Sequence, residues 1–267
     1  MTPVRLVTIN TWKGDGPYRQ RIAELARQLV ALEVDLVACQ EALAFIGAGG
    51  STVETLARAL GFEASFVPAR DKQRVVEGEL RRTWSGLAVL SRWPIAETRT
   101  VVLPADASDG PRLAQLATIE APAGPLHVLN THLTHLRGRD DLRCAQLATL
   151  LEEARALPSA RARLLCGDLN SRPSSPPLAY LAGRDHGWDA RDAWELGGAG
   201  EHGATLSDRN PYVRDGIGEH TIDYVWSLAR RGEAHPAIDD ARVVLDRPGV
   251  DGVVPSDHFG VLVALSI

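Results

Sequence analysis

Four short apolar runs in this chain stop in the same way. Val4-Arg5-Leu6-Val7-Thr8-Ile9 ends at Asn10, and Leu36-Val37-Ala38-Cys39 ends at Gln40-Glu41. Leu126-His127-Val128-Leu129 ends at Asn130-Thr131-His132, and Leu164-Leu165-Cys166 ends at Gly167-Asp168-Leu169-Asn170. Runs of this length bounded by turn residues read as buried strands. A strand buried on both faces must be covered on both, so the chain has to stack layers on its sheets. Residues i and i+2 of an extended segment point to one side, which aims Asp168 and Asn170 together and turns Leu169 away.

The remaining pattern says what the layers are. Helical spacing of Ile22, Leu25, Ala26, Leu29 and Val30 predicts a helix over 18–32. Ser51 and Glu54 form a capping box ahead of Val53, Leu56, Ala57 and Leu60, and Gly61 stops that helix. From 62 to 131 short apolar runs at 64–67, 86–90, 98–103, 113–119 and 126–129 alternate with Pro, Gly and Asp turns, a strand-rich middle. A helix over 142–156 carries Cys144, Leu147, Ala148 and Leu151 on one face. After the strand at 164 come a short helix near 177–181, a loop-rich stretch over 183–220, and strands at 222–226, 241–245 and 261–265. No linker or short-period repeat interrupts the chain. One α/β domain over 1–267 is expected, with two sheets packed face to face and helices outside.

Composition narrows the partners. No apolar run approaches the ~20 residues that span a bilayer, and MTPVRLVTIN lacks a basic segment followed by a long apolar one. Stable membrane association and secretion are not expected. Cys39, Cys144 and Cys166 are odd in number and have apolar neighbours, so they read as thiols of a reducing, cytoplasmic compartment. The net charge of -5 argues against sequence-independent binding of long nucleic acid. The densest basic segment, 70–82, holds Arg70, Lys72, Arg74, Arg81 and Arg82 against Asp71, Glu77 and Glu79. Residues 135–143 add Arg137, Arg139 and Arg143 against Asp140 and Asp141. Together they make at most a modest basic rim, and duplex DNA is expected to bind only weakly.

The polar strand ends carry the chemistry. Asp223 sits inside the apolar run Thr221-Ile222-Asp223-Tyr224, and Pro255-Ser256-Asp257-His258 leads into the last strand. Each has an ordinary structural reading alone: Glu41 as a helix N-terminal acid, His132 as a core histidine, Asp223 as a hydrogen-bonded acid. As a set at strand ends, where α/β sheets gather their sites, they suit phosphate ester hydrolysis. Glu41 offers the hard oxygen that Mg²⁺ takes, and no Cys/His cluster of zinc type exists. Asp223 or Asp257 could fix the tautomer of His258 and raise its basicity.

The segments "TINTW", "ACQEA", "NTHLTH", "CGDLNSRPSS", "TIDYVW" and "SDHFGV" resemble, in that order, the motif series of the endonuclease/exonuclease/phosphatase (deoxyribonuclease I-like) superfamily. "GLAVLSRWPI" resembles a structural strand-turn segment of the same group. The resemblance implies a four-layer α/β/β/α sandwich of two mixed sheets and a divalent metal, Mg²⁺ with Mn²⁺ as the alternative. It implies that Glu41 ligates the metal with Asn10 beside it and Asp257 near. His132 would contact phosphate or leaving group, Asp168 would orient or deprotonate water, and Asn170 would hold a phosphate oxygen. His258 would stabilise the phosphate or act as base, oriented by Asp223. Asn210, in "SDRNPY", is matched to a further phosphate-side asparagine. Arg143 and Gln146, on the helix after "NTHL", read as structural.

"GDLNSRPSS" is similar to the segment of deadenylase-like and sphingomyelinase-like members, and it lacks the tyrosine-arginine pair of the 5-phosphatases. No apolar membrane hairpin is visible, and the loop from Trp84 reads as short. The expected function is therefore a cytoplasmic metal-dependent phosphodiesterase acting on a small or single-stranded nucleotide phosphoester, with no obligate protein partner. The alternative is a sphingomyelinase-like lipid or sugar phosphoesterase. A non-catalytic binding module is disfavoured because every catalytic position holds a usable residue.

Overall fold

The computed structural model describes residues 3–47, 50–197 and 202–267. Along the chain run β1 (Val4–Asn10), α1 (Tyr18–Ala31), β2 (Leu36–Phe45), α2 (Thr52–Leu60), β3 (Glu63–Val76), β4 (Glu79–Ser91), β5 (Ile95–Leu103), β6 (Arg112–Ala121) and β7 (Gly124–His132). Then follow α3 (Asp140–Ala154), β8 (Ala162–Asp168), α4 (Pro176–Ala182), β9 (Trp188–Asp192), α5 (Ala193–Leu196), β10 (Leu206–Ser207), β11 (Glu219–His220), β12 (Asp223–Arg230), β13 (Ala237–Val244) and β14 (Gly260–Ser266). The first sheet has the order β13-β14-β1-β2-β4-β3 and the second β5-β6-β7-β8-β12-β9. Each contains one parallel pair, β1 with β2 and β7 with β8. Parallel neighbours require a crossover, and α1 and α3 provide it.

The period-2 alternation of the strands sorts the side chains into three cores. Val7, Ile9, Val37, Cys39 and Leu90 face outward onto Ile22, Leu25 and Leu29 of α1 and Leu56 of α2. Leu6, Leu36, Ala38, Val89 and Val263 face inward, against Ile119, Leu126, Val128, Leu164, Cys166 and Val225 of the second sheet. On the far side Leu116, Leu129, Leu165 and Trp226 pack on Leu147, Leu150 and Leu151 of α3 and Leu178 and Leu181 of α4. The order is helix, sheet, sheet, helix, the four-layer α/β/β/α sandwich that the motif series implied. Full burial of each such aliphatic side chain contributes about 1.5–3 kcal/mol.

Three elements differ from the sequence expectation. The short strands expected at 64–67 and 86–90 extend through the basic segment between them: β3 and β4 pair from Glu63 with Ser91 to Val76 with Glu79 as one long hairpin. Its outer half alternates charged residues with no core-facing stripe, so hydrophobic periodicity cannot reveal it. Glu77 and Gly78 turn it with φ of +49° and +83°, as a two-residue hairpin turn requires. The stretch expected to be loop over 183–220 contains β9, whose Trp188 and Ala190 are buried while Asp189 and Arg191 are not. Five residues with one apolar pair are too few to signal a strand. In α3 the buried face is Leu142, Arg143, Gln146, Leu147, Leu150 and Leu151, rotated from the one predicted through Cys144 and Ala148. The polar residues Arg143 and Gln146 take buried places because they serve the loop beneath: Arg143 donates to the carbonyls of Thr134 and Leu136, and Gln146 accepts from the Thr134 amide and donates to Pro104.

Candidate active site

The strand registers bring the polar ends to one edge of both sheets. Asn10 lies opposite Gln40 on β1 and β2. On the facing sheet His132 lies opposite Asp168, and Asp168 opposite Asp223. The pairing of β2 with β4 slips between Cys39 and Ala42, a bulge that re-aims side chains locally. There Gln40 turns inward, donating to Asn130 Oδ1 across the sheets at 2.8 Å, while Glu41 takes φ +54° and lines a cavity of about 310 Å³. Asn10, His132, Asp168, Asn170, Asp257 and His258 line the same cavity. Asn170 has φ +47°. Residues held in such conformations collect where the surroundings over-determine them, commonly at sites. Gly167 has no substitute beside them: a Cβ there would stand 1.9 Å from the Thr131 carbonyl oxygen.

Asp168 is at the centre. Asn10 Nδ2 donates to its Oδ2 at 3.1 Å, and the Asn170 backbone N–H donates to its Oδ1 at 2.9 Å. His132 Nε2 lies 3.4 Å and His258 Nε2 4.0 Å from Oδ2. His258 Nδ1 is 2.9 Å from Asp223 Oδ2. Asn170 Nδ2 spends one hydrogen on the Leu133 carbonyl at 3.0 Å and has a second. Burial pushes the Asp168 carboxyl up to about 7, helped by Asp223 and opposed by His258 and the Asn10 bond. Burial also pulls His258 down, but Asp223, Asp168 and Asp257 outweigh it and hold the imidazolium well above its ordinary range. His132 moves the other way: burial, then Arg112 and Lys13, keep it neutral. Burial and the Glu41 charge raise Asp257, against His258.

This charge balance fits a hard cation. Asn10, Glu41, Asp168 and Asp257 offer only oxygen ligand atoms of the kind Mg²⁺ takes, and burial raises two of these carboxyls, a cost that a nearby cation relieves. Lys13 already stands in for one, its Nζ 2.6 Å from Glu41 Oε1. Asp168, Asp223 and His258 also place ligand atoms within 4.8 Å of one another. Two members of this trio, His258 and Asp223, are joined directly through Nδ1 and Oδ2 at 2.9 Å, an arrangement suited to sharing a proton.

Asn210 is set apart from the cavity. It is buried, its Nδ2 donating to the Ser256 carbonyl at 2.8 Å and its Oδ1 accepting from the Tyr212 amide. There it supports the turn that carries Asp257 and His258. Ser256 fastens that turn to β1 by donating to the Asn10 carbonyl at 2.6 Å. The expected basic rim also thins. Arg81 pairs with Glu79, Arg82 with Asp71, Arg139 with Asp106 and Asp141, and Arg143 with Asp140.

Arg70 of that rim does reach the cavity, and sequence reasoning missed three further basic side chains there. Arg70, Arg112 and His135 line one wall and share the buried Asp109 carboxylate at 3.2, 2.6 and 3.0 Å. Two guanidiniums on one carboxylate leave that wall positive. Lys13 lies in the loop after β1, which the fully buried Arg21 organises by donating to the carbonyls of Thr11, Trp12, Lys13, Asp15 and Pro255. The Trp12 ring is held between Tyr212, with centroids 4.9 Å apart, and the Arg21 guanidinium at 4.8 Å.

A sequence profile described as the Endonuclease/Exonuclease/phosphatase family matches residues 7–258. "Protein angel" of Drosophila melanogaster is 40% identical over 58 residues, which are 22% of this chain and 16% of that protein. Among solved structures, an endonuclease/exonuclease/phosphatase family protein from Leptotrichia buccalis superposes with TM-score 0.75 at 15% identity, covering 99% of this chain and 100% of that one. D. rerio TDP2, solved in complex with single strand DNA product, gives TM-score 0.76 at 19% identity over 100% of both chains.

Proposed function

The chain belongs to the endonuclease/exonuclease/phosphatase family, and from that premise we propose that it is a divalent-metal-dependent phosphoesterase hydrolysing a small or single-stranded nucleotide phosphoester by attack of water. One observation carries the reading: oxygen donors and the Asp168, His258 and Asp223 proton-sharing group meet at one cavity bounded by a positive wall. Glu41, with Asn10 and Asp257, would hold Mg²⁺, or Mn²⁺, which when bound supplies Lewis-acid neutralisation of the phosphate charge.

The chain's own groups do the rest. Asp168, with both oxygens oriented by Asn10 and Asn170, positions the attacking water and takes its proton; a raised carboxyl suits a base working near neutrality. His258, kept cationic by Asp223, faces the charge that develops on the phosphate. Neutral His132 and the second amide hydrogen of Asn170 bind phosphate oxygens or the leaving group. Arg70 and Arg112 receive a further anionic part of the substrate. The cavity of about 310 Å³ suits a phosphoester with one small substituent, and the single strand DNA product bound by the D. rerio neighbour is of the proposed class. Two buried unpaired thiols, Cys39 and Cys166, agree with a cytoplasmic setting.

The lipid or sugar alternative has one observation in its favour. Val75 and Leu80 pair across the tip of the β3–β4 hairpin and are 64% and 65% exposed. Among the described residues no helix is long and apolar enough to cross a membrane. A panel of oligonucleotides, phospholipids and sugar phosphates with Mg²⁺, Mn²⁺ or EDTA separates the readings. Turnover is expected with short single-stranded nucleotides and with bis-p-nitrophenyl phosphate, and none in EDTA. Undiminished hydrolysis in EDTA would overturn the metal-dependent reading, and preference for phospholipid would favour the alternative.

A further inference from the structure

We propose that Lys13 is a built-in counter-ion that holds Glu41 in the metal-free protein and competes with the divalent ion for it. The proposal rests on the reading of Glu41 as a metal ligand. Lys13 Nζ stands 2.6 Å from Glu41 Oε1, with the side chains 29% and 14% exposed, and both residues line the cavity. Twenty-eight residues separate them in sequence, and both depart from ordinary backbone to meet.

Trp12 and Lys13 are consecutive non-glycine residues with φ of +54° and +45°. Left-handed backbone of this kind costs on the order of 1 kcal/mol or more per residue, so something must hold it. Three contacts do. Arg21 takes the carbonyls on both sides of the bend. Asn10 Oδ1 accepts the Trp12 amide at 3.0 Å. The Trp12 ring is clasped by Tyr212 and Arg21. An exposed lysine on an ordinary turn would need none of this. The pinned loop confines the ammonium to the cavity, where Glu41, re-aimed by the bulge in β2, receives it.

A divalent ion held by Glu41 would need the same carboxylate. Its charge repels the ammonium at contact distance, and the flexible four-carbon stem of lysine lets that group swing away while the loop stays fixed. Lys13 thereby keeps Glu41 aimed without metal and weakens the affinity for metal when it arrives. An arginine, with its rigid fork on the carboxylate, would leave less readily.

The test is calorimetric titration of Mn²⁺, without substrate, into the wild type, Lys13→Met and Lys13→Arg, with thermal unfolding in EDTA and in saturating Mn²⁺. Lys13→Met is expected to bind Mn²⁺ about fivefold more tightly, the weight of one partly exposed ion pair. It should melt below the wild type in EDTA yet gain more from the ion. Lys13→Arg should bind no more tightly than the wild type, and in a Glu41→Gln background Lys13→Met should change nothing. Equal or weaker affinity in Lys13→Met overturns the proposal while leaving the metal reading standing. No Mn²⁺ uptake by the wild type overturns the metal reading and the proposal with it. If Lys13→Met does not fold, Lys13→Gln provides the same readings.

Discussion

Arg21→Lys keeps a charge in place and removes the fork. The guanidinium donates to five carbonyls: Asp15 at 2.7 and 3.0 Å, Pro255 at 2.9 Å, Thr11 at 3.2 Å, Trp12 at 3.3 Å and Lys13 at 3.4 Å. A lysine ammonium has three hydrogens, so at least two of these acceptors lose their donor, and the contact with Trp12 weakens. At about 1–3 kcal/mol per acceptor left dry, the cost for two is about 2–6 kcal/mol. For 267 residues, an unfolding entropy of about 2.1 cal/mol/K per residue turns that into a fall in Tm of roughly 4–11 °C. Calorimetry in EDTA reads the melt, and kcat is measured well below it. Because the carbonyls belong to the loop bearing Lys13 and the turn preceding Asp257 and His258, kcat should fall as well. A Tm within about 1 °C of the wild type would refute the assignment of Arg21 as a clamp. A lowered Tm with unchanged kcat would show that it secures the fold and not the site.

Asp168→Asn and His258→Ala should each reduce turnover at least ~10²-fold, the scale for a lost base or charge stabiliser, with circular dichroism unchanged; near-normal rates would remove them from the mechanism. Asp223→Asn should lower the His258 pKa, read by NMR titration of the ring, and shift the alkaline limb of the rate profile downward; an unmoved ring titration would deny the pairing. Metal-free stability should fall as pH rises above about 6.5. Asp168 has a native pKa of about 7 against an ordinary 3.8, so folding favours its protonated form and its contribution is lost as pH climbs from about 3.8 through about 7. His258, raised above 6.5, contributes below 6.5 and loses that contribution as pH passes its native value, so both slopes have one sign. A melt in EDTA that rises toward pH 9 would contradict this. Duplex DNA should bind with a shallow salt dependence, and a log K against log salt slope steeper than roughly -5, about six phosphates, would reveal a duplex surface.

Asn10, Glu41, His132, Asp168, Asn170 and His258 were legible because their signal is local: an apolar run that stops at, or starts from, a polar group. Arg21 was not, since a charged residue in an amphipathic helix is ordinarily counted to the wet face. It does share the face of Tyr18 and Leu25, at i-3 and i+4, and a charge on that stripe must find buried partners. Lys13 sits in "TWKGDG", which reads as a plain polar turn, and only the backbone bend aims it at Glu41. Arg70 was visible in the basic segment 70–82, but Arg112 and His135 depend on Asp109, in a loop between β5 and β6 whose closure on the cavity no periodicity records. Asn210 was matched by its neighbourhood in the sequence, and its amide donates to the Ser256 carbonyl behind the site.

The cavity is built half on each sheet, and the two sheets are unequal in chain order. Every strand of the second lies within residues 95–230, a continuous stretch, whereas the first joins β1–β4 to β13 and β14 from the far end of the sequence. A nascent chain can assemble the second sheet, with Asp168 and Asp223 in register, while β1 still lacks β14 and the turn that carries His258. The cavity is therefore complete only once β14 and the turn before it have joined the first sheet. For the same reason, a small slide of one sheet over the other would leave both internally intact and still part Asn10 from Asp168. The Gln40–Asn130 bond, placed at the cavity end of the interface, is the pin that opposes such a slide.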